Sequence, residues 1–195
     1  SLCIKTNDVN PINKTFTKNG EEFFFQERVS STVEEVGSGA RWSFLQNSTG
    51  YFDNAYATTE LSSDVDLTRG LSLNGFGFNI PENAEIIGIE VTIDKIGPNP
   101  ALGTVKDREV YITEFPSQFI GNGINLANSQ VWPATPQYQP MYGSNNELWG
   151  QLWTPEQINN SLFSLNIKVE QLSGDPEVGI DGAKIRVYYK SDTRS

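Results

Sequence analysis

The chain has 195 residues, 37% of them apolar and 11% aromatic, which is enough to bury a core without disulfides, and its 24 acidic and 14 basic residues leave a net charge of −10. A polyanion is a poor ligand for DNA or anionic membranes, where Lys and Arg supply the affinity, and no apolar run reaches the roughly 20 residues of a spanning helix. Histidine is absent and Cys3 is the single cysteine, which excludes Ser-His-Asp and Cys-His catalysis and an internal disulfide.

Residues 1–36 read as an N-terminal arm or first strands, and residues 37–195 as a β-sandwich domain. The arm is polar with scattered apolar residues and turn signals at Asn10-Pro11 and Asn19-Gly20. Phe23, Phe24 and Phe25 form a strand candidate whose unbroken aromatic run means burial on both faces or a face awaiting another subunit. Gly37-Ser38-Gly39 is a loop, and Ala40 to Tyr56 holds two strand-like pieces with Trp42 and Phe44 on one face. Residues 71–80 and 86–96 follow as neighbouring strands around the Pro81-Glu82-Asn83-Ala84 turn. Phe76, Phe78 and Ile80 alternate with small or polar residues in the first, and Ile87, Ile89, Val91 and Ile93 in the second.

A strand at 107–113 precedes a Gly/Asn/Pro-rich excursion over residues 114–147, a length that usually carries function or is clamped by its own side chains. Thr154, Pro155 and Gln157 predict an N-cap, N1 and capping box for a short helix near 155–161. Strands at 162–169 and 180–189 complete an all-β, antiparallel, jelly-roll-like sandwich.

Three stretches carry a resemblance: Gly75 to Val91, Glu147 to Asn159, and Ala183 to Tyr189. In order and spacing they resemble a β-sandwich domain that recurs in phage and prophage virion proteins (tail fibre, spike, decoration) and in bacterial surface proteins. The resemblance covers roughly residues 40–190 and implies an extracellular, virion or cell-surface structural module, with receptor or glycan contacts in some members. It supplies no catalytic residues.

Several residue sets are candidate sites. Trp132, Tyr138 and Tyr142 offer faces for sugar stacking, with Asn145 and Asn146 for hydroxyls, whereas Trp149 and Trp153 are expected to plug the sandwich end. No cofactor is expected apart from a weak calcium option at Asp64 and Asp66 with Asp53 or Asp181. Asp107, Glu109 and Glu114 offer an acid–base pair of the glycosidase type, although nothing in the sequence places two of them at a working separation. Asn13-Lys14-Thr15, Asn47-Ser48-Thr49 and Asn159-Asn160-Ser161 fit the N-glycosylation pattern. Cys3 is a free thiol, an intermolecular disulfide partner or a lipidated residue. Ile4, Phe16 and Phe23 to Phe25 are the assembly candidates, adding in trans to a neighbour's sheet or completing their own. The expected function is a non-enzymatic structural subunit of a virion appendage or extracellular fibre. Its partners are further copies or other surface subunits, and the alternative is a carbohydrate- or receptor-binding adhesin module.

Overall fold

A computed structural model describes residues 14–18, 21–116, 124–136 and 141–191. In chain order the strands are β1 (Lys14–Lys18), β2 (Glu21–Val29), β3 (Thr32–Val36), β4 (Ala57–Glu60), β5 (Gly70–Asn74), β6 (Glu85–Ile96), β7 (Gly103–Thr113), β8 (Tyr142–Ser144), β9 (Ser164–Gly174) and β10 (Glu177–Lys190). They form two antiparallel sheets packed face to face. One has the order β1-β2-β10-β6-β8, with β4 on the first residues of β10; the other has the order β3-β5-β9-β7. The all-β sandwich expected from alternation is therefore present.

The inner faces follow from period-two side chains. Ile89, Val91 and Ile93 of β6 and Ile185, Val187 and Tyr189 of β10 are buried against Val110 and Ile112 of β7 and Leu165, Ile167 and Val169 of β9. Each aliphatic side chain so buried contributes about 1.5–3 kcal/mol of transfer free energy. A bulge shifts the β7–β9 register between Asp107 and Glu109, so both Asp107 before it and Val110 after it are buried. Across the same sheet, Ser72 Oγ donates to Asn166 Oδ1 and Asn166 Nδ2 to Thr113 Oγ1, both at 2.7 Å, so these three buried polar residues satisfy one another.

The reading of residues 71–80 as one strand beside 86–96 needs correction. β5 ends at Asn74 and lies in the other sheet from β6; residues 75–80 cross between the layers. Gly75 and Gly77 take φ of +65° and +71°, a conformation that breaks a strand. Phe76, Phe78 and Ile80 alternate because all three are buried, in a cluster with Phe163 and Trp153. The crossing backbone is satisfied largely by side chains. Gln26 Nε2 donates to Asn79 O while its Oε1 accepts from Asn79 N–H, and Asn159 does the same for Ile80.

Residues 40–56 also depart from expectation. They form a 3₁₀ turn at Leu45–Ser48 and isolated bridges in place of two strands. Trp42 is buried and its Nε1–H donates to Arg69 O, whereas Phe44 has φ +57° and is 72% exposed, so the two do not share a face. The helix α1 (Pro155–Asn159) is present with its complete Thr154–Gln157 capping box.

β2 pairs with β10 in one sheet and β3 with β5 in the other. Residues 14–36 are first strands of the sandwich itself. β2 pairs with β1 on one side and β10 on the other. Phe24 stacks on Tyr189 at 5.6 Å between centroids, and Phe25 lies on the opposite face against Tyr188 and the Arg186 guanidinium. Phe24 and Phe25 thus pack against β10 of their own chain, and Phe23 is buried.

Candidate functional site

The described parts of the excursion, residues 124–136 and 141–147, close one flank of the sandwich. Along β7, Leu126 N–H donates to Val110 O and Trp132 N–H to Val105 O, while Asn125 Oδ1 accepts from Val110 N–H and its Nδ2 donates to Arg108 O. Across β6, Met141 N–H donates to Val91 O, Ile89 N–H donates to Glu147 O, and β8 adds as a strand. The β6 and β7 edges on this flank are thereby covered.

Beneath this cover lies a buried polar cluster from both layers. Lys95 continues the inward register of Ile89, Val91 and Ile93 on β6, and Asp107 stands at the β7 bulge; they are 5% and 4% exposed. Lys95 Nζ donates to Asp107 Oδ1 at 3.2 Å and to Tyr142 Oη at 2.9 Å. Tyr142 Oη donates to Asp107 Oδ2 at 2.6 Å, Trp132 Nε1–H to Oδ1 at 2.8 Å, and Asn128 N–H to Oδ2 at 3.0 Å. The ammonium also sits over both rings, 4.9 Å from the Trp132 centroid and 5.5 Å from that of Tyr142.

A buried ion pair offsets its desolvation cost only when further hydrogen bonds satisfy both partners. Here the carboxylate accepts four. Burial still lowers the Lys95 amine below its ordinary range, against the opposing pull of Asp107. Burial, then the Asp107 charge and hydrogen bond, hold the Tyr142 phenol far above its ordinary value.

That gives a signed pH prediction. The folded state keeps the Tyr142 proton where the unfolded chain loses it, so its contribution is intact below about pH 10 and lost above. Urea unfolding of the wild type should show stability falling from about pH 10 upward, and Tyr142→Phe should fall less steeply. Equal slopes would show that Tyr142 does not carry the effect.

The structure redistributes the sequence candidates. Trp132 and Tyr142 do come together, but both are 3% exposed, with Lys95 against their rings, so neither presents a face to a sugar. This corrects the stacking-platform reading. Asn145 is exposed, its backbone close over Gly88, and Tyr138 and Ile4 lie outside the described residues. Phe16 is described only as backbone in β1, opposite Phe23. Trp149 and Trp153 are buried, as packing predicts.

Asp64 and Asp66 are exposed, whereas Asp181 is buried and accepts from the N–H groups of Asp53 and Asn54. Among the described residues no three acidic, His or Cys side chains gather as a metal site. Of the acid–base set, Asp107 is buried in the cluster, Glu114 accepts from Gln157, and Glu109 lines an outer groove of about 440 Å³ with Lys106, Arg108, Tyr111, Asn125 and Glu170. In the sequons, Asn47 donates to Tyr56 O and Asn159 is held by Ile80.

Sequence reasoning missed Lys95. Its signal was a charge where the alternation of Ile89, Val91 and Ile93 calls for an apolar side chain. No protein-family model, curated protein or solved structure matches the chain.

Proposed function

We propose that this protein is a non-enzymatic structural subunit of a virion appendage or extracellular fibre, assembling through the edge of β1. The observation that carries this reading is the inequality of the two flanks. The excursion covers β6 and β7, while among the described residues β1 pairs with β2 alone. An unpaired strand edge is a template for a strand of another chain, and a head-to-tail contact that does not close extends into a filament. The three-part resemblance to virion and surface sandwiches supports the same location and the same partners: further copies or other surface subunits.

Deleting residues 1–18 tests it. The shortened chain is expected to keep its β-type far-UV spectrum and run as a monomer by light scattering, while the full chain associates. A monomeric full chain, or unchanged association after the deletion, would sink the proposal. Deletion to residue 30 is not a clean test, because it also removes β2 from beside β10. A receptor- or glycan-binding module ranks second; its support is the polar groove beside Tyr111 and Glu109.

A further inference from the structure

We propose that Lys95 and Asp107 join in an intramolecular amide, Nζ to Cγ, with loss of one water. The argument starts from their placement. They lie on strands of opposite sheets, and packed sheets stand about 10 Å apart. A lysine and an aspartate side chain end to end cover that gap, and the amine already rests 3.2 Å from Oδ1. Oδ1 is bonded to Cγ, so the hydrogen bond already holds the amine beside the carbon it would attack.

The surrounding groups fit the parts of such a condensation. An amide needs a neutral amine and a protonated acid, and burial disfavours the ammonium. It lowers the Lys95 amine, as noted. Tyr142 Oη touches both reactants, accepting from Nζ at 2.9 Å and donating to Oδ2 at 2.6 Å. One proton passes from Nζ to the phenol oxygen while the phenol proton passes to Oδ2, giving amine and acid without external donors. Nζ then attacks Cγ. The charge that develops on Oδ1 faces Trp132 Nε1–H at 2.8 Å, which acts as an oxyanion donor. Collapse breaks the Cγ–Oδ2 bond. Oδ2, held by Asn128 N–H at 3.0 Å, leaves as water after taking a second Nζ proton through Tyr142. Atoms and charges balance: ammonium plus carboxylate give amide plus water, with no oxidant or activating group.

The product ties the two layers covalently beneath the covering loop and closes only the short β6–β7 connection. Tyr142 positions and relays protons; Trp132 stabilises charge.

Intact mass of the full chain, folded and then denatured for measurement, tests this. The expected value is the sequence mass less one water. Trypsin should fail to cut after Lys95, leaving peptide 70–106 with Asp107-Arg108 attached through the Lys95 side chain. Lys95→Met and Asp107→Ala should show the full mass of their own sequences. Tyr142→Phe keeps the ring, so its far-UV spectrum should match the wild type while its joined fraction falls at least tenfold, in line with the rough 100-fold worth of positioned proton transfer. A wild-type chain at full sequence mass overturns the proposal, as does a lost water without the joined peptides. Tyr142→Phe joined as fully as wild type overturns the relay.

Discussion

Asp107→Ala is expected to cost about 3–5 kcal/mol, the usual penalty for leaving one buried charge without its partner. Four donors lose their acceptor at once: Lys95 Nζ, Trp132 Nε1, Tyr142 Oη and Asn128 N. Three of them have no water at hand, since Lys95, Trp132 and Tyr142 are all at most 5% exposed. The excursion should loosen as well, because Trp132 and Asn128 lie on it. Urea denaturation with an unchanged slope would register the loss. The double variant Lys95→Met, Asp107→Leu should recover part of it, because the stranded ammonium is gone while three neutral donors remain unsatisfied. A single-variant loss below about 1 kcal/mol would mean that the cluster is hydrated or contributes nothing.

Trp149→Ala should be as damaging, about 3–5 kcal/mol, for a different reason. Its side chain is wholly buried, and its Nε1–H donates to Ile89 O at 2.8 Å, filling a carbonyl on the covered side of β6. Truncation leaves a cavity and an unpaired acceptor together. Trp149→Phe separates the two, since it restores much of the volume but not the donor. Thermal unfolding that ranks wild type above Phe above Ala is the expected result; an Ala variant within about 1 kcal/mol of wild type would reject the plug role.

The β-class, the α1 capping box and the main strands were legible because each depends on local pattern. Alternation at Ile89, Val91 and Ile93 and the Thr154–Gln157 pair are short-range signals. Alternation reports burial, however, and not pairing. Phe76, Phe78 and Ile80 look like a strand because they are buried, while the partners that satisfy the neighbouring backbone, Gln26 and Asn159, lie 53 and 79 residues away. Phe44 departed from its expected face through a left-handed backbone that no neighbour announces. The candidate site was half visible. Asp107 and the aromatics attracted notice for chemistry that faces solvent, whereas the β7 bulge and the loop turn them inward toward Lys95.

The position of β10 has a consequence for how this chain is made. Among the described residues it alone connects β2, β4 and β6: Lys184 to Lys190 pair with β2, Gly179 to Lys190 with β6, and Glu177 to Ile180 with β4. A ribosome delivers β2, β4 and β6 before this common partner. Until residue 190 has emerged, the earlier ribbons of that sheet have nothing between them. Closure of the layer is therefore a late, long-range event, of the kind that makes β topologies slow to form. The nascent polypeptide must keep the aromatic side chains of β2 from mispairing until β10 emerges.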